Sequence, residues 1–75
     1  MQIADAKRLK CNDKVQYVSS PKGEIATGTV MTDGLSNAPI AKNEFGDQFV
    51  WVEVADAADD KRHMHPSNRL EKINQ

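Results

Sequence analysis

A chain of 75 residues leaves room for one domain and one small core. Its net charge of −1 and pI near 6 set it apart from strongly basic nucleic-acid domains. The single cysteine, Cys11, excludes an intramolecular disulfide; with no leader-like segment and no long apolar run, the chain reads as cytoplasmic.

From the N-terminus, Ile3, Ala6 and Leu9 fall near one face of a short helical turn, and residues 1–12 are assigned to it. Asn12-Asp13 ends the turn. Cys11, with no base in view to activate it, is a plain small residue. Lys14 to Ser19 predicts a first strand, with Val15 and Tyr17 on one face and Gln16 and Val18 on the other. Ser20-Pro21-Lys22-Gly23 is a turn, because proline presets one backbone angle and glycine supplies a positive one. Ile25 to Thr32 is a second strand, rich in β-branched residues. Gly28 in its middle marks a bulge or a close backbone crossing, where a small barrel can bend.

Asp33 to Asp47 holds Gly34, Pro39 and Gly46 and cannot be one regular element, although Ile40 and Ala41 can add a short paired segment. Gln48 to Val54 carries the strongest strand signal. A step of two places Val50, Val52 and Val54 on one face and Phe49, Trp51 and Glu53 on the other. An acidic turn, Ala55 to Asp60, leads to a fourth strand, Lys61 to His65. Pro66-Ser67-Asn68 then predicts a 3-10 turn before a last strand, Arg69 to Ile73. Leu70 and Ile73, three apart, are expected to face the core together across that turn. The expected core is Val15, Val30, Val50, Val52, Met64, Leu70 and Ile73, with Ile25 or Ala26 at the start of the second strand. The class is all-β: a small, strongly bent five-stranded barrel over residues 13–74, forming one domain with the N-terminal turn.

Charge is distributed unevenly. Residues 1–24 carry five Lys/Arg against three acids (+2), residues 25–60 one against seven (−6), and residues 61–75 four against one (+3). If the first and last strands are neighbours, Lys14, Lys22, Lys61, Arg62, Arg69 and Lys72 form a basic patch able to steer an anionic partner. Phe49 and Trp51, opposite the valines, must meet the chain's own 33–47 loop, a second subunit or a stacking ligand. With Arg62, His63 and His65 they make up the expected partner or oligomer surface. His63 and His65, two apart on a strand, project from one side. Asp59 or Asp60 would be the nearby oxygen donors for a metal, but without a dependable third ligand the pair reads as hydrogen-bonding histidines, with no metal and no cofactor assigned. Ser19, Ser20, Ser36 and Ser67 lie in turn contexts where serine bonds its own backbone. No phosphate loop, Gly-x-Ser-x-Gly or Cys-x-x-Cys motif is present, so no catalytic residue is assigned.

Three resemblances follow from these residues. A strand, a 3-10 turn at Pro66-Ser67-Asn68 and a short returning strand resemble the closing segment of SH3-like barrels; with Tyr17 as the only tyrosine, the likeness is to the barrel and not to a proline-peptide groove. Asp13-Lys14-Val15, Lys22-Gly23 and Gly28-Thr29-Val30 resemble the KOW motif of ribosome- and transcription-associated barrels, which implies RNA binding. The longest likeness is to the type II, plasmid-borne dihydrofolate reductases: Asp13-Lys14-Val15, Gly28-Thr29-Val30, the Phe49–Glu53 strand and Pro66 through Asn74 occur in the same order. In that family Val-Gln-Ile-Tyr before the proline lines a tetramer pore that binds folate and NADPH. Arg62-His63-Met64-His65 stand there in this chain, so the barrel, an oligomer and a mobile-element origin are carried over and the activity is not. The expected function is a small binding module that meets a protein partner or a second copy of itself. The alternatives are a nucleic-acid or ribonucleoprotein barrel and a divergent reductase-like enzyme with His63 and His65 in its pore.

Overall fold

The computed structural model describes residues 1–73. Asn74, with which the expected barrel ends, lies outside the described residues. The chain begins with a one-turn helix α1 (Ile3–Ala6), whose Ala6 is buried, and Leu9 is buried just beyond it. Asn12, with φ of 78°, ends the segment in a left-handed conformation that asparagine tolerates well.

Strands β1 (Lys14–Val18) and β2 (Ile25–Val30) form an antiparallel hairpin in which Val15 faces Gly28 and Tyr17 faces Ala26. The predicted turn between them closes with Gly23 N–H donating to the Ser20 carbonyl at 3.0 Å. A 3-10 turn (Leu35–Asn37) buries Leu35 and leads to β3 (Ala41–Lys42), which pairs with β4 (Gln48–Phe49) as a separate two-stranded ribbon. After Val50 the chain continues as β5 (Trp51–Asp56) and returns as β6 (Arg62–Pro66). A second 3-10 turn (Ser67–Arg69) precedes β7 (Glu71–Lys72), which lies beside β1. The five-stranded antiparallel sheet has the order β6-β5-β2-β1-β7. The predicted class is therefore the observed one: small and all-β around a five-stranded sheet, with an N-terminal helical turn and a 3-10 turn before the last strand, and the β3–β4 ribbon in addition.

Residues opposite one another on neighbouring antiparallel strands share a face. Val15, Gly28 and Asp56 make one inward row, Val30, Val54 and His63 the next, and Val52 with His65 a third. Val15, Val30, Val50, Val52, Val54 and Leu70 are fully buried, joined by Ala6, Leu9 and Leu35. Gly28 is the close crossing expected of it: a Cβ there would lie 2.4 Å from Val54 Cγ1 and 2.9 Å from the Ala55 carbonyl oxygen. Only glycine lets β2 and β5 approach this closely.

Four expectations need correction. Met64, placed in the core, is 54 % exposed, because it sits opposite Glu53 on the outer face. Ile25 is exposed and Ala26, in phase with Gly28, is the half-buried member of that pair. Ile73 is only half-buried: the eclipsed pair of the 3-10 turn is Ser67 with Leu70, both buried. The Ser67 side chain bonds not its own turn but Val50, accepting its N–H at 3.0 Å through Oγ, and the Ser67 N–H donates to the Val50 carbonyl at 2.9 Å. These two bonds fasten the closing turn to the break between β4 and β5.

Candidate functional site

The β5–β6 hairpin carries the chemistry on both faces. Its inner face ends in a polar cluster. Asp56 continues the inward phase of Val52 and Val54 and is buried. Its carboxylate accepts a hydrogen bond from the Tyr17 hydroxyl and lies 3.3 Å from His65 Nε2 through the same oxygen, Oδ1. The other oxygen, Oδ2, is 3.5 Å from His63 Nε2. The Tyr17 and His65 rings lie against each other at a tilt of 37°, with centroids 4.5 Å apart. Burial first, and then the bond to Asp56, push the Tyr17 phenol up to about 12.

The turn after β5 brings in Asp59. Asp56 N–H bonds the Lys61 carbonyl and Asp60 N–H the Asp56 carbonyl, both at 2.9 Å, which closes the turn. Asp60 adopts φ of 57° there. Asp59 Oδ1 then accepts the Lys61 N–H at 3.0 Å, while Oδ2 lies 3.1 Å from His63 Nε2. The Lys61 N–H, followed by the His63 ring, lowers the Asp59 pKa below its ordinary value. His63 and His65 do share one side, as the spacing predicts, and Asp59 is beside them. Asp60 forms no part of the cluster. Asp56 and Tyr17 are the members that sequence reasoning missed. The signal was available: Asp56 falls two residues after Val54 in an alternating strand, and so faces inward.

The outer face is built differently. Trp51, 48 % exposed, lies opposite Pro66, and Met64 stands diagonally beside it. Arg62 Nη1 reaches Glu53 Oε1 at 3.4 Å on the same face. Phe49 does not share this exposure. The 33–47 segment returns to pair Ala41 with it, and Phe49 is buried with its ring edge-on to Trp51, centroids 5.0 Å apart. Phe45, at the tip of the β3–β4 turn, is 82 % exposed, an aromatic that the sequence did not single out.

The expected basic patch is divided. Lys14 and Lys72 lie at the β1–β7 edge, where Lys72 Nζ is 3.8 Å from Asp13 Oδ2 and Lys14 Nζ donates to Thr29 Oγ1 at 2.6 Å. Arg69 donates to the Val18 carbonyl at the far end of β1, and Lys22 lies in the β1–β2 turn. Lys61 and Arg62 are at the opposite edge of the sheet, by β6. An open groove of about 730 Å³ gathers other cations instead: Lys7, Arg8 and Lys10 join Lys72 around Asp13 and Leu35.

Arg62 to His65 lie in edge strand β6. No helix among the described residues is long and apolar enough to cross a membrane. Comparison with protein-family models, curated proteins and solved structures finds no match to this chain.

Proposed function

We propose that this chain is a small cytoplasmic SH3-like binding module that pairs with a second copy of itself through the outer face of the β5–β6 hairpin, without catalysis of its own. The observation that carries this reading is the exposure of Trp51 and Met64 side by side on a face whose reverse side buries Val52 and Val54 in the core. Large apolar side chains grouped on a sheet mark a contact surface. The same face holds Glu53 and Arg62, so it presents both signs of charge. A two-fold axis would set each against its opposite, as a self-complementary interface requires. Edge pairing is a poorer route, since β6 consists of Arg62, His63, Met64, His65 and Pro66, and charges and proline discourage strand addition.

Light scattering over a concentration series, read with Trp51 emission, tests this. A dimer that dissociates on dilution with a red shift, and a smaller species for Trp51→Ala, support the reading. A monomer at every concentration with unchanging emission overturns it.

A second reading, binding of a single-stranded nucleic acid, is favoured by the groove that collects Lys7, Arg8, Lys10 and Lys72. Its signature is an affinity for labelled RNA that falls steeply with salt and drops in Lys10→Glu. A reductase-like activity rests on the sequence resemblance alone, and a saturable NADPH titration is the result that would revive it.

A further inference from the structure

We propose that Asp56, Asp59 and His63 form a binding site for a single divalent transition-metal ion, with Zn²⁺ the best fit. One ligand atom from each of the three lies within 4.8 Å of the other two. Zinc bonds to nitrogen and oxygen of 2.0–2.1 Å in a tetrahedron set ligand atoms about 3.3 Å apart. His63 Nε2 stands 3.1 Å from Asp59 Oδ2 and 3.5 Å from Asp56 Oδ2, on either side of that value. An ion would bind between the His63 nitrogen and the two carboxylates, drawing the Asp56 and Asp59 oxygens, at most 4.8 Å apart, toward each other.

The supporting contacts are those a metal site needs. Ligand carboxylates are oriented by hydrogen bonds to their unused oxygens. Asp59 Oδ1 is held by the Lys61 N–H and Asp56 Oδ1 by the Tyr17 hydroxyl and the His65 ring, while Asp56 Oδ2 lies 3.5 Å from both the His63 and the His65 Nε2. The two hydrogen bonds that close the Asp56–Lys61 turn fix the strand end and the turn relative to each other. Two carboxylates neutralise a divalent charge. The imidazole selects a borderline ion over Ca²⁺ or Mg²⁺, which prefer all-oxygen sets. Asp59 and His63 are each nearly half exposed, so a fourth position faces solvent and takes water or a donor from a ligand. Such an ion would tie β5, its turn and β6 together, the kind of staple a domain this small commonly uses.

The test is calorimetric titration of the full chain with Zn²⁺ in a Cys11→Ser background, so that the one thiol contributes nothing. One saturable site per chain is expected, with affinity reduced more than ~10-fold by His63→Ala and by Asp59→Asn. Both positions are exposed, and circular dichroism checks that the variants fold. Zn²⁺ should also shift the His63 Nε2 resonance in a long-range ¹H–¹⁵N spectrum and raise the melting temperature of the parent protein but not of the variants. Absence of saturable binding below about 1 mM Zn²⁺, or an affinity that stays within about two-fold in both variants, overturns the assignment.

Discussion

The two faces of the β5–β6 hairpin use the same backbone in opposite ways. Inside, Val52 and Val54 are fully buried and the row ends in Asp56, His63 and His65, with Tyr17 reaching across from β1. Outside, Trp51 and Met64 stand half in solvent beside an ion pair. Hydrophobicity does not decide which side is covered, since the more apolar side chains of β6 and of the start of β5 point outward. Partnership does. A histidine can enter the inner face because Asp56 satisfies it, and no buried polar side-chain atom among the described residues lacks a hydrogen-bond partner. A methionine can stay outside because nothing among the described residues is folded over it.

This contrast implies a gradient of mutational cost from the inner face to the outer. Gly28→Val should be the most damaging change, at about 3 kcal/mol or more, because its side chain meets Val54 and the backbone of Ala55 at distances no Cβ tolerates. Urea denaturation measures it, and a midpoint equal to that of the parent protein would remove Gly28 as the bend of the sheet. Val52→Ala should follow at roughly 2–3 kcal/mol, since the deleted methyls leave a void in a small core. An unaltered midpoint there would place the valine row outside the core and invert the two faces.

Tyr17→Phe removes one hydrogen bond to the buried Asp56 and should cost about 1–2 kcal/mol. Thermal melting reads this variant, and no change would show that His65 alone suffices for the carboxylate. Trp51→Ala sharpens the contrast from the other side. Measured in dilute solution, it should cost the monomer only about 1 kcal/mol, from the lost edge contact with Phe49, while abolishing self-association. A large loss of monomer stability would mean that Trp51 belongs to the packed structure and that the outer face is not free.

Much of the architecture was legible from local patterns. Alternation in Lys14–Val18 and Trp51–Val54, the turn residues Ser20 to Gly23, and the Pro66-Ser67-Asn68 interruption each placed an element close to where it lies. Gly28 was legible as a crossing because glycine inside a β-branched strand has few other uses. The candidate site was only half legible. The shared side of His63 and His65 follows from strand periodicity, and Asp59 from its proximity in sequence. Tyr17 and Asp56 are 39 residues apart and meet only because β2 lies between their strands.

Composition, turn chemistry and the period of two, all properties of short stretches, thus determined the class, the order of the strands along the chain and the bend at Gly28. Tertiary structure decided the phase of β6, the burial of Phe49 and the division of the basic residues between two edges. A strand has two faces that differ by a single residue of register, and an isolated Arg-His-Met-His-Pro segment favours Met64 as its inward member on hydrophobicity alone. Pairing Val52 with His65 and Val54 with His63 reversed that preference, because it set both imidazoles against a carboxylate that the core had already buried.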